Sequence, residues 1–330
     1  MLVRKQVLSL KSYPIIPDPA GFTALDWNTS HYFPNNAFVE ELRESIDHES
    51  INWYPYSPTK ELKAKVGRFV GASSKNVVIG GGSIELLDTA VRIVTGRGYA
   101  IRLIDPYYSQ FDRIAARSGA RIVGASGFDT LGKSKARVFI VCNPNNPDGL
   151  VAPRGLVADL CGKNPDSLVI CDEAYISYSD EPSATRLVNK HPNMLVTRSA
   201  SKWGVAGARA GIAIAHPDLA SALEKAMLPF TATALAQKAL ELCVTKYRKD
   251  MIGAFWKVKM ERERIKSECA DANLTDSQGN FNTIVGNSKR VYDAFRKNQL
   301  VVRKYPGLVR VDVATPDIND RVIKVLKSMR

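Results

Sequence analysis

From about residue 76 to residue 215, short β-branched apolar runs alternate with stretches whose apolar residues recur at helical spacing. This pattern restricts the fold more than any other feature of the chain. Val77, Val78 and Ile79 before Gly80 read as a strand; Ile84, Leu87, Val91 and Val94 then mark a helix with one buried face. Further strands are expected at 100–104, 121–125, 136–142, 167–171, 194–197 and 211–215, separated by helices such as 109–118 and 153–161. Strands this apolar are buried on both faces, and strands regularly separated by helices run parallel. The expectation is an α/β fold: a mostly parallel sheet sandwiched by helices.

Beyond residue 215 the character changes. A helix is expected over 217–227, Pro229 interrupts it, and 232–272 carries one long helical pattern. Short strands at 281–285 and 310–313 and a terminal helix from Asp317 then suggest a smaller α+β domain. The first 40 residues are rich in Pro, Asn and aromatic residues with little periodicity, and are expected to wrap over the large domain or join the small one. The expected division is an arm at 1–40 contributing to the small domain, a large domain at 41–245 and a small C-terminal domain at 246–330.

Composition serves mainly to exclude. With 330 residues, 45% hydrophobic and 24% charged, the chain can bury a full core without disulfide or metal staples. No apolar run approaches the ~20 residues that span a bilayer. The N-terminus has no sustained apolar segment of the signal-peptide kind, so a cytoplasmic protein is expected. Cys142, Cys161, Cys171, Cys243 and Cys269 show no C-x-x-C spacing and read as buried free thiols. His31, His48, His191 and His216 are scattered, so no metal site is expected. The net charge of +13 is spread along the whole length, which favours a solvated basic surface, with some attraction for anionic small molecules, over nucleic acid.

In an open parallel sheet, ligands bind beyond the carboxyl ends of the strands, and four unusual segments fall there. Gly80, Gly81, Gly82 and Ser83 join a strand to a helix; alone, they serve equally as a structural turn or as a cradle for phosphate. Residues 143–149, Asn-Pro-Asn-Asn-Pro-Asp-Gly, force a tight non-helical path that places amide side chains at a strand end. Asp172-Glu173-Ala174-Tyr175 sets a carboxylate at the end of a buried strand, where it either caps the next helix or requires a cationic partner. Ser199-Ala200-Ser201-Lys202 places a lysine among small residues, as a Schiff-base amine is placed. By itself such a lysine reads better as a surface residue.

Together and in this order, these segments resemble the fold-type I pyridoxal-phosphate aminotransferases. Within them, they resemble the branch containing histidinol-phosphate aminotransferase and threonine-phosphate decarboxylase. The resemblance runs from about Leu25 to Asp317 and rests on the N-P-N-N-P-D-G, D-E-A-Y and S-A-S-K segments. It implies pyridoxal 5′-phosphate as cofactor, with Lys202 forming the Schiff base and moving the proton at the substrate α-carbon. Asp172 would pair with the pyridine nitrogen, Tyr175 and Asn146 would hydrogen-bond the phenolic oxygen, and Tyr108 would stack on the ring, with Tyr107 competing for that role. The phosphate would lie on the amides of Gly82, Ser83 and Ile84, completed by Ser199, Ser201 and Arg209. Tyr54 would reach the phosphate of a partner subunit, implying a homodimer with shared active sites. Arg310 would clamp the substrate carboxylate.

The sequence departs from the family pattern at three places. Asp148 replaces the usual Thr or Ser, Lys202 and Arg209 are seven residues apart where the family has eight, and the substrate-contacting segment around residues 25–32 is blurred. The implied reaction is amino transfer between histidinol phosphate and 2-oxoglutarate. Threonine-phosphate decarboxylation and aromatic or broad-range amino transfer are the alternatives, and no membrane or nucleic-acid partner is expected.

Overall fold

A two-residue strand, β1 (Thr23–Ala24), precedes the apolar runs in the computed structural model, which describes residues 3–12 and 20–329. The runs form β2 (Val77–Gly80), β3 (Ala100–Ile104), β4 (Arg121–Ala125), β5 (Val138–Cys142), β6 (Leu168–Asp172), β7 (Met194–Ser199) and β8 (Gly211–Ala215). They make one sheet in the order β2-β8-β7-β6-β5-β3-β4. Only β8 is antiparallel to its neighbours, so the other strands deliver their carboxyl ends to one side, and β8 brings Gly211 there from the opposite direction.

Burial on both faces follows from the two-residue period of a strand. Along β5, Val138 and Ile140 pack with Leu86, Leu87, Val91 and Ile114 of the helices Ser83–Val94 and Gln110–Ser118. Phe139 and Val141 join the opposite layer with Leu160, Met251 and Phe255. The helix expected from residue 153 begins only at Leu156, because Gly155 takes a left-handed φ of 88°. The single long helix expected over 232–272 is two, Ala234–Val244 and Arg248–Glu268. Thr245 breaks it: its hydroxyl takes the Glu241 carbonyl, and Tyr247 N–H turns back to Leu242 O.

A second sheet follows, with β9 (Phe281–Val285), β10 (Leu300–Val301), β11 (Arg303–Tyr305) and β12 (Leu308–Asp312). Here β12 lies between β11 and β9, antiparallel to both. The described part of the N-terminal arm makes contacts on both sides. Arg4 and Arg113 tie it to the large sheet's helix Gln110–Ser118, through Arg117 O and Lys11 O, while β1 pairs in parallel with β10. No helix among the described residues is long and apolar enough to cross a membrane.

Beside the end of β6, Glu173 is buried. Its carboxylate accepts from Ala184 N–H (2.6 Å) and Ser183 Oγ (2.7 Å) and pairs with the buried Arg198 guanidinium (3.1 Å). Glu173→Ala would leave Arg198 charged and unpaired away from water. The expected loss in urea-induced unfolding is about 3–5 kcal/mol.

Candidate active site

The carboxyl ends of β5, β6 and β7 and the turn after β2 open into a cavity of about 630 Å³. Residues 26–29 and the side chains of Tyr305 and Arg310 also line it. The cavity draws together Lys202, Asp172, Tyr175, Asn146, Tyr108, Ser83, Ile84, Ser199, Ser201, Arg209 and Arg310. Tyr107 is turned elsewhere and donates to Asp112 (2.8 Å), so the ring available to the cavity is that of Tyr108.

Asp172 ends β6. Thr197 Oγ1, on the adjacent strand, donates to its Oδ1 (2.9 Å), and Cys142 Sγ lies 3.9 Å from Oδ2. Burial raises its carboxyl to about 6, against the hydrogen bonds of Thr197 and the Ala174 amide. Burial also lowers the Lys202 ammonium to about 8; Arg310 and Arg209 push the same way, while Asp312 and Asp172 oppose them. Lys202 Nζ donates to Trp27 O (3.0 Å). The Tyr175 oxygen accepts from Asn28 Nδ2 (2.8 Å) and Asn146 Nδ2 (3.3 Å). Two amide donors fill its lone pairs, so its single proton is free to be donated into the cavity.

The turn after β2 differs from the expectation at one atom. The Gly82 amide donates to Gly80 O (2.8 Å) and is spent within the turn, which leaves Ser83 and Ile84 to supply the first free amides of the helix. What Gly82 contributes is a left-handed φ of 109° and no side chain: a Cβ there would sit 2.7 Å from Arg209 Nη2. Gly211, on β8, presses on the same turn, and a Cβ would lie 2.3 Å from the Ser83 nitrogen. Despite the shortened spacing, Arg209 reaches this turn. It adopts a left-handed φ of 58°, and its Nη1 donates to Ser201 Oγ (3.4 Å). A helix N-terminus flanked by hydroxyls and a guanidinium suits a phosphate.

Arg310 is buried. Its Nη1 donates to Asn146 Oδ1 (2.7 Å) and to Tyr305 Oη (3.2 Å), and its Nη2 to Asp26 O (2.6 Å). In the Asn-Pro loop, Asp148 is structural: its carboxylate accepts from Asn145 Nδ2 (3.0 Å) and Leu150 N–H (3.1 Å), which is the work of a turn residue. Tyr54 lies outside the cavity, 78% exposed, stacked on Phe230 with centroids 4.6 Å apart.

Sequence reasoning passed over Asn28, Asp312 and Gly211. Asn28 lies in a segment without periodicity, and Asp312 reads as an interruption of an apolar strand. Only the second of these offered a signal, since a lone acid within V-R-V-D-V is costly to bury. Among the described residues no group of three His, Cys, Asp or Glu is placed to hold a metal.

The family described as aminotransferase class I and II matches residues 22–326. The histidinol-phosphate aminotransferase of Syntrophotalea carbinolica is 28% identical, covering 98% of this chain and 98% of the relative. The aromatic amino acid aminotransferase of Mycobacterium marinum is 31% identical, covering 87% and 86%. The fold is similar to that of histidinol-phosphate aminotransferase from Sinorhizobium meliloti, solved with pyridoxal-5′-phosphate, at a TM-score of 0.84 over 99% of this chain and 98% of that one, with 23% identity.

Asp172 generates a prediction of opposite sign for stability and for activity. Its folded value of about 6 lies above the ordinary 3.8, so its favourable contribution to the fold is complete below 3.8 and is lost as pH rises through about 6. Asp172→Asn removes that charge. It should stabilise the cofactor-free chain at pH 8 by about 1–3 kcal/mol, with little gain at pH 3.5, while amino transfer is lost; thermal unfolding at the two pH values checks this.

Proposed function

Because the chain belongs to the class I and II aminotransferases, we propose that it moves an amino group between histidinol phosphate and 2-oxoglutarate, yielding imidazole-acetol phosphate and glutamate, with pyridoxal 5′-phosphate held at Lys202. The observation that carries this reading is the convergence on one cavity of an amine lowered to about 8, a buried acid and a doubly braced phenol. One guanidinium stands at a helix N-terminus and another beside Asn146. The polar groups of the cofactor would each meet a matching one: Asp172 for the ring nitrogen, Tyr175 and Asn146 for the phenolic oxygen, and Ser83, Ile84, Ser199, Ser201 and Arg209 for the phosphate. Relatives named histidinol-phosphate aminotransferase support the substrate, and a net charge of +13 suits a phosphorylated one.

When bound, the cofactor supplies an electron-accepting ring that stabilises negative charge at the substrate α-carbon. Asp172 keeps a proton on the ring nitrogen by supplying the opposite charge. Lys202, near 8, exists partly as free amine at neutral pH and so takes the α-proton without a large energetic penalty. Arg310 grips the α-carboxylate that 2-oxoglutarate and glutamate share, and its bond to Asn146 Oδ1 holds the guanidinium in register with Tyr175.

An aromatic amino acid donor is the second reading, because Trp27, Tyr108 and Tyr305 line the same cavity and relatives with that activity match the chain. Purified protein with cofactor should form glutamate from histidinol phosphate and 2-oxoglutarate. Faster turnover of phenylalanine would favour the second reading, and carbon dioxide release from threonine phosphate would overturn both.

We also propose a homodimer in the cytoplasm. Ile51, Trp53, Tyr54, Tyr56, Leu228 and Phe230 are exposed, an apolar surface that a second copy would cover, and the cysteines are free and buried, as suits a reducing compartment. Mixing Tyr54→Ala with Lys202→Ala protein should restore activity to the inactive parents, because one site of each mixed dimer then has both residues. Absence of recovery in verified mixed dimers would remove Tyr54 from the partner's site.

A further inference from the structure

Strand β12 carries two charged side chains, Arg310 and Asp312. Residues two apart on a strand share a face, and both are buried. Asp312 grips the N-terminal segment at two points: its backbone N–H donates to Leu25 O (2.9 Å), and its Oδ2 accepts from Asn28 N–H (2.6 Å). Between and beside these points, the segment delivers its own groups to the cavity. Asp26 O accepts from Arg310 Nη2 (2.6 Å), Trp27 O from Lys202 Nζ (3.0 Å), and Asn28 Nδ2 donates to Tyr175 Oη (2.8 Å). Asn28 holds a left-handed φ of 54°, which asparagine adopts readily, and its bond to Asp312 fixes it there. Asn280 Nδ2, donating to Asn28 O (3.0 Å), is the remaining brace.

We propose that Asp312 is a positioning residue that docks residues 25–28 across the cavity, so that the Trp27 and Asp26 carbonyls set the places of the Lys202 amine and the Arg310 guanidinium. Its charge acts on the same groups. Arg310 faces it from its own strand, Lys202 from the turn after β7, and Tyr178, whose hydroxyl donates to Lys202 O, from the turn after β6. A neutral residue at this position would leave three cations, Lys202, Arg209 and Arg310, balanced by Asp172 with less help. The docking contacts stand independently of the proposed reaction; only the effect on catalysis rests on that reading.

Two substitutions separate the docking from the charge. Asp312→Asn keeps an oxygen able to accept the Asn28 amide but removes the charge, whereas Asp312→Ala removes both and leaves only the backbone bond to Leu25 O. In the full-length, cofactor-free chain, amide hydrogen exchange of peptides spanning residues 20–33 should speed up about tenfold or more in Asp312→Ala and stay near wild type in Asp312→Asn, with peptides of β5 to β7 unchanged. Acetylation of Lys202 by acetic anhydride should shift its pH midpoint about one unit lower in Asp312→Asn, since loss of a nearby negative charge disfavours the ammonium. In the loaded enzyme, Asp312→Ala should raise KM for glutamate more than it lowers kcat. Unchanged exchange in Asp312→Ala, or an unmoved Lys202 midpoint in Asp312→Asn, would overturn the proposal. Should Asp312→Ala fail to fold, the Asp312→Asn midpoint decides alone. If wild-type protein takes up no pyridoxal phosphate while exchange and labelling respond as stated, the functional reading fails and the positioning role stands.

Discussion

Removing charge from water is the constraint around which this molecule is organised. Asp172, Arg310 and Asp312 are buried and Lys202 half-buried around one cavity, and isolated charges there would be costly. The solution is a continuous polar path. Arg310 donates to Asn146, Asn146 to the Tyr175 oxygen, Asn28 to the same oxygen, and the Asn28 backbone to Asp312, which shares a strand with Arg310. Each member bonds to the next, so hydrogen bonds alone link the charged groups around the cavity.

That path also joins the parts of the chain. Asn146 and Tyr175 belong to the large sheet's strand ends, Arg310 and Asp312 to the second sheet, and Asn28 to the N-terminal arm. The Asn-Pro loop adds further ties, with Thr283 Oγ1 donating to Pro147 O and Thr275 Oγ1 to Asp148 O, each at 2.6 Å. The loop is therefore both a wall of the cavity and the seam to the second sheet. Its tight path leaves no room for a side chain at Gly149, where a Cβ would collide with Ser277. The same economy of space recurs at Gly82 and Gly211, where missing side chains let a helix start, a strand and Arg209 converge.

Departures from the family pattern are absorbed locally. Asp148 does the work of a hydroxyl by accepting from Asn145 and Leu150, and burial raises its pKa against the pull of those bonds. The residue missing between Lys202 and Arg209 is offset by backbone conformation: the left-handed turn at Arg209 redirects its side chain to Gly82 and Ser201.

The strands of the large sheet, the helices between them and most of the cavity-lining polar side chains were legible in the sequence, because each depends on local periodicity or on a motif confined to a few consecutive residues. Lys202, Asp172, Tyr175 and Asn146 could be placed at strand ends for that reason. Three features were not legible: the break at Thr245, the loss of the Gly82 amide to its own turn, and the docking of Asn28 on Asp312. The first depends on a hydroxyl competing for one carbonyl, and the second on one turn closing upon itself. The third joins residues 284 positions apart. Local propensity determines which elements form, whereas contacts across such separations exist only after the sheets and the arm have packed. Residue types and their local spacing thus supply the chemistry of the cavity, and packing over long separations sets which charges face one another.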